Sequence, residues 1–235
     1  MAGAARRGPA LSYADRHLAM HQLSLHADKP IASVLAIGAH ADDIEIGCGG
    51  TLLRLAEENP GAEIHWVVLS ADGPRVEEAR LSAAEFAAGY ARSSFEVQGF
   101  RDGFFPYDGG AIKEWFEALK GRVSPDVVFA HQRADLHQDH RVVSELTWNT
   151  FRNHLIFEYE IPKFDGDFGT PNLFVYLSDS IARRKVDVIL SHFVTQHDKR
   201  WFTDDLFMAS MRLRGMESNS PTGRAEAFYC RKLVI

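Results

Sequence analysis

Gly38-Ala39-His40-Ala41-Asp42-Asp43 sets an imidazole and two adjacent carboxylates directly after the apolar run 31–37. Neighbouring Asp side chains repel unless a cation or a proton sits between them. A second cluster, His137-Gln138-Asp139-His140, stands shortly after the run Asp126-Val127-Val128-Phe129-Ala130. Together the clusters carry the residue types of a hydrolytic metal site. A catalytic zinc commonly takes three nitrogen or oxygen ligands and keeps one position for water. His40, Asp43 and His140 supply such a two-imidazole, one-carboxylate set. A metal held there would bring the pKa of a water toward about 7. Consecutive Asp side chains diverge in extended or turn backbone, which leaves Asp42 to face that water as general base. His137 then polarises or protonates the reacting carbonyl oxygen, and Asp139 orients its ring. The donor set suits zinc, and also Fe(II) or Co(II).

Each residue also has a plainer reading. Asp42-Asp43 alone would pass for a helix cap, and the second cluster is what argues against that. His131, at the end of a strand-like run, is a candidate to line the pocket. Gly47, Gly49 and Gly50 invite a dinucleotide reading, but the G-x-G-x-x-G spacing is absent and two carboxylates would repel a pyrophosphate.

These clusters need elements to hold them. The apolar run 31–37 reads as a buried strand, and leucines at helical spacing follow over 51–58. Strands are expected at 64–69, 95–100, 126–130, 155–161, 173–177 and 228–235. Helices are expected at 77–88, 112–122, 142–152, 181–193 and 206–214. Alternating strands and helices imply βαβ units, hence a single Rossmann-like α/β domain with a mostly parallel sheet and helices on both faces. Right-handed crossovers then bring both His clusters to one edge of the sheet, outside the strand C-termini. The loop-rich stretch 162–171 gives no readable specificity.

The bulk composition narrows the function classes. With 235 residues, one sizeable core is expected over 30–235, preceded by an irregular arm over 1–29. A net charge of −6 and the lack of a broad basic patch argue against a nucleic-acid partner. Cys48 and Cys230 form neither a disulfide framework nor a CxxC zinc pair. No apolar run approaches a membrane span, and residues 1–9 lack a secretion signal's apolar segment, so a cytoplasmic protein is expected.

The two clusters resemble those of the LmbE-like (PIG-L) family of zinc-dependent N-deacetylases. The family's AHPDD and following Gly-Gly helix start are matched by Ala39-His40-Ala41-Asp42-Asp43 and Gly47-Cys48-Gly49-Gly50. Its HPDH is matched by His137-Gln138-Asp139-His140. Ser70-Ala71-Asp72-Gly73, Arg75, Glu78, Asp102-Gly103, Lys185, His192, Gln196 and Ala225-Glu226-Ala227-Phe228 are weaker likenesses, so the similarity spans about 31–235. Ala41 and Gln138 replace the two prolines, which touches turn rigidity more than catalysis.

The resemblance implies His40, Asp43 and His140 as metal ligands, Asp42 as general base, His137 as oxyanion stabiliser and Asp139 as its partner. It adds Arg75, His192 and Glu226 as candidate substrate contacts. It implies zinc as cofactor and removal of an N-acetyl group from an N-acetylglucosamine-type sugar or conjugate. The expected partner is thus a small N-acetylated sugar or glycoconjugate, with a homo-oligomer compatible. Two alternatives stay open. One is an amidase acting on a thiol-sugar conjugate with the same site; the other is a metal- or nucleotide-binding module without catalysis.

Overall fold

The computed structural model describes residues 30–234, so the expected arm over 1–29 lies outside the described residues. Among the described residues, seven strands form one sheet in the order β3-β2-β1-β4-β5-β7-β6. These are β1 (Ser33–His40), β2 (Glu63–Ser70), β3 (Arg92–Val97), β4 (Val127–His131), β5 (Leu155–Tyr159), β6 (Leu173–Tyr176) and β7 (Ala225–Tyr229). Five of them, β1 to β5, pair in parallel, and β7 runs antiparallel to both β5 and β6. The mostly parallel α/β domain is therefore as the sequence predicts.

Among the described residues, six α-helices cover the sheet: α1 (Asp43–Glu58), α2 (Pro74–Phe86), α3 (Gly109–Lys120), α4 (Gln138–Phe151), α5 (Asp179–His192) and α6 (Asp204–Glu217). The β1 side chains alternate between two cores. Val34 and Ala36 join Ile44 and Leu52 of α1, Phe86 of α2, Val186 of α5 and Phe207 of α6. Leu35 and Ile37 join Phe116 of α3 and Val143 of α4 on the opposite face. With both faces covered, β1 is buried along its whole length, the pattern of a central parallel strand. No helix among the described residues is long and apolar enough to cross a membrane.

The connection from β1 leads to β2 on one side, while β4 lies on the other. The crevice above the C-terminal ends of β1 and β4 is thus a topological switch point, where ligands of open α/β sheets bind. His40 ends β1, and His131 ends β4.

Several element boundaries differ from the sequence reading, and three of the differences have a clear physical reason. The first helix starts at Asp43 rather than Thr51, so the glycines lie inside it. Glycine is a poor helix former, but here close packing decides. A Cβ on Gly47 would stand 2.2 Å from the Tyr159 ring, and one on Gly49 would stand 2.7 Å from Phe86. The third strand is Arg92–Val97 rather than 95–100; its early residues are exposed and polar, as an edge strand allows. The last strand is Ala225–Tyr229 rather than 228–235. The aliphatic tail suggested a strand, but the backbone pairs with β5 and β6 only up to Tyr229.

Candidate metal and catalytic site

Both His clusters converge on the switch point. Asp42 is the N-cap of α1, and its side chain makes no capping bond. The helix-cap reading therefore fails for its carboxylate. Asp43 opens α1, and His137 is the N-cap of α4, with Asp139 and His140 in the first turn that follows. Two helix N-termini thus face the crevice, and their dipoles favour the carboxylates there.

His40 Nδ1, His140 Nε2 and Asp43 Oδ2 form a triangle. His40 Nδ1 lies 3.2 Å from His140 Nε2, and Asp43 Oδ2 lies 3.3 Å from His40 Nδ1 and 3.5 Å from His140 Nε2. Ligands about 2.1 Å from a tetrahedral zinc stand about 3.4 Å apart, so the triangle has the size such an ion requires. The outer ring nitrogens explain why the inner ones converge. His140 Nδ1 stands 3.0 Å from Asp135 Oδ2, and His40 Nε2 stands 3.2 Å from Asp139 Oδ2 and 3.1 Å from Asp102 Oδ1. Each carboxylate takes the ring N–H on its own side and turns a lone pair inward, the usual support of a metal-bound histidine. The donor set fits a divalent cation.

The electrostatics agree. Burial opposes a charged His40, but hydrogen bonds to Asp102, Asp139 and Asp43 outweigh it and raise its pKa well above the ordinary value. Burial also opposes a charged Asp43, yet the His140 and His131 rings hold it well below the usual carboxylate range. Burial lowers His140, with His131 acting in the same sense, and lowers His137 with help from His140 and His40. Without an ion, one positive charge is thus favoured at His40 inside the triangle, the charge that a bound cation would replace, while His137 and His140 are favoured neutral.

Asp139 corrects an expectation: its carboxylate serves His40, not His137. Oδ2 also accepts from the Gly103 amide at 2.7 Å, and Oδ1 accepts from Phe105 at 3.1 Å. Gly103 presents that amide at φ +79, a left-handed conformation suited to glycine. The Asp139 backbone N–H instead donates to His137 Nδ1 at 3.3 Å. That places the ring proton of a neutral His137 on Nε2.

Arg75 lies at the site, but its Nη2 donates to Asp42 Oδ1 at 2.9 Å. The other two expected substrate contacts have partners within the fold. Glu226 is buried, and its oxygens accept from the Gly50 and Thr51 amides at 2.8 and 2.6 Å and from Lys185 Nζ at 2.6 Å. Both of its oxygens are engaged in binding the middle of α1 to β7 and α5. Removing one partner of such a buried pair costs about 3–5 kcal/mol, so its work is structural. His192 Nε2 lies 2.7 Å from Glu85, near the end of α2, while the first turn of α2 is the one at the crevice.

Four residues escaped the sequence reading as site members, wholly or in part. His131 is fully buried, accepts from the Ala39 amide at 3.0 Å, and stacks on His140 with ring centroids 3.8 Å apart. Asp135 precedes the second cluster by two residues, a signal that was available. Lys163, in the loop with no readable specificity, reaches Asp135 Oδ2 at 2.9 Å and Asp167 Oδ1 at 2.7 Å. Asp102 was noted only as part of an Asp-Gly likeness. Among the described residues, groups that could hold an ion also include His40 with His137 and His140, and Asp43 with His131 and His140.

The chain is similar to known deacetylases. A model of the PIG-L family, described as GlcNAc-PI de-N-acetylase, matches residues 35–151. An Escherichia coli K12 protein named as the uncharacterized deacetylase YaiS is 30% identical over 171 residues, covering 68% of this chain and 89% of that protein. The N,N'-diacetylchitobiose deacetylase of Pyrococcus horikoshii superposes with a TM-score of 0.65 at 21% identity, over 88% of this chain and 87% of its own. GalB of Pseudomonas putida, a 4-carboxy-2-hydroxymuconate hydratase, superposes with a TM-score of 0.68 at 18% identity, over 87% and 98%. Fold likeness alone therefore spans different reactions. With its identity to a named deacetylase added to the family match, the chain belongs to the PIG-L (LmbE-like) family of deacetylases.

Proposed function

We propose that this chain is a zinc-dependent N-deacetylase acting on N-acetylglucosamine-type sugars or sugar conjugates. His40, Asp43 and His140 hold the ion, Asp42 is the general base, and His137 stabilises the oxyanion. The observation that carries the reading is the triangle of inward donors with a free carboxylate oxygen beside it. The named activity of the Pyrococcus relative, on a diacetylated sugar, favours this substrate class.

A divalent ion at the triangle would supply Lewis acidity, acidifying water and polarising an acetamide carbonyl. The protein supplies the proton handling. Among the described residues, the hydrogen bond to the Asp42 side chain runs from Arg75 Nη2 to Oδ1, which leaves Oδ2 to face the water. Oδ2 takes the proton as the water oxygen bonds to the carbonyl carbon. His137 Nε2–H donates to the oxygen on which charge develops. The proton on Asp42 then passes to the amide nitrogen as the C–N bond breaks, giving acetate and a free amine.

The test is acetate release across N-acetylated sugars, sugar nucleotides and glycolipids, by protein stripped with chelator and then reloaded with zinc. Acetate should appear only after reloading. Protein that takes up no divalent ion and releases no acetate would overturn the reading. His137→Ala should keep its metal and lose about 10²–10³-fold in kcat, the usual cost of one oxyanion donor. Unchanged turnover in that variant would remove His137 from the mechanism.

A further inference from the structure

The first turns of α1 and α2 lie side by side at the crevice, and one ion pair joins them. Arg75, the second residue of α2, donates from Nη2 to Asp42 Oδ1 at 2.9 Å. The chain reaches this position through Gly73, whose φ of +49 turns it into α2, with Pro74 at the helix start. The Asp42 side chain is 9% exposed and that of Arg75 is 22% exposed, so the pair is shielded from bulk water on most sides. Water-excluded charge pairs hold their geometry better than surface ones, whose net attraction is small.

The pairing has a directional consequence. Asp42 is the N-cap of α1, yet its carboxylate makes no bond to the helix amides. Nothing on its own helix therefore fixes the torsion of this side chain. The guanidinium does so from α2, engaging one oxygen and leaving the other free. Arg75 Nε is buried without a partner among the described residues, so the bond through Nη2 is the hold that this guanidinium has on the site.

We propose that Arg75 is a positioning residue for the general base, fixing which oxygen of Asp42 faces the attacking water, rather than principally a substrate contact. The inference rests on the reading of Asp42 as the base. A base displaced by about 1 Å costs about 10²-fold in rate, and that loss falls on kcat. A group that binds substrate equally in the ground and transition states would move KM instead.

Kinetics of Arg75→Met and Arg75→Lys, with metal content measured on each, separate the two roles. Arg75→Met should lower kcat about 10–100-fold with KM within about threefold and zinc stoichiometry unchanged. Arg75→Lys, which returns a cation to the same carboxylate, should recover much of that loss. A variant whose KM rises while kcat stays at the wild-type value would overturn the proposal and make Arg75 a substrate contact. If Arg75→Met fails to fold, Arg75→Lys decides alone: a modest fall in kcat at constant KM supports positioning, and a raised KM at constant kcat refutes it. Asp42→Asn measured in parallel keeps the two readings apart. If it retains full turnover, Asp42 is not the base and the inference falls with that assignment. If it is inactive while Arg75→Met changes only KM, the positioning role alone is lost.

Discussion

Asp42→Asn is expected to abolish most acetate release while leaving the metal in place. The substitution keeps the size of the side chain and an oxygen for Arg75 Nη2, which now stands 2.9 Å from Oδ1. It removes the ability to accept a proton from water. General base catalysis contributes about 10²–10⁴-fold, and the same residue also returns the proton to the leaving amine, so a loss toward the upper end is expected. Metal content should match that of the wild type, because Asp42 is outside the triangle of inward donors. Single-turnover kinetics with acetate quantified, alongside metal analysis, measure both halves. Turnover within a few-fold of wild type would place the base elsewhere.

How much of this was legible in the sequence depends on how local each signal is. His40, Asp42 and Asp43 share a turn, and His137, Asp139 and His140 share another, so their chemistry could be read from spacing. Their convergence followed from topology: parallel strands with right-handed crossovers bring strand C-termini to one edge. The pairing of Asp139 with His40 could not be read this way. Asp139 lies two residues from His137 but 99 from His40, and proximity in sequence favoured the wrong partner. The loop after β3, tucked in at Gly103, fixes that carboxylate from a third direction.

The misreadings share a physical cause. Glu226 and Lys185 are charges in a region that burial statistics place at the surface, and only the folded packing of β7 against α1 and α5 reveals them as a buried pair. Intrinsic propensity disfavours glycine in a helix, which sets the glycine run outside the first helix in the sequence reading. The aromatic rings of Tyr159 and Phe86 that demand glycine there come from β5 and α2. Lys163 carries no local signal at all; its meaning lies in Asp135, 28 residues away. Long-range partners, rather than propensities, decided each of these cases.

Asp43→Asn should produce the complementary defect. Asn can still accept the His40 backbone N–H, which now donates to Oδ2 at 2.7 Å, so the turn between β1 and α1 is expected to survive. The negative charge is lost, however, and with it the one anionic donor of the triangle. Outer partners of a metal ligand already cost about 10–100-fold in affinity when removed, and a carboxylate that would touch the ion itself should cost more. The variant is therefore expected to leave dialysis with little zinc and little activity. Excess zinc should restore part of the turnover, because Asp42 and His137 remain in place to move protons and bind the oxyanion. The same excess should do nothing for Asp42→Asn, which already holds its ion. Metal stoichiometry after dialysis, and activity titrated against added zinc, read both responses. Adjacent carboxylates with one shared role would respond alike, and an Asp43→Asn protein with full zinc and full turnover would take Asp43 out of the ligand set. Opposite responses follow only if one aspartate belongs to the ion and its neighbour to the proton.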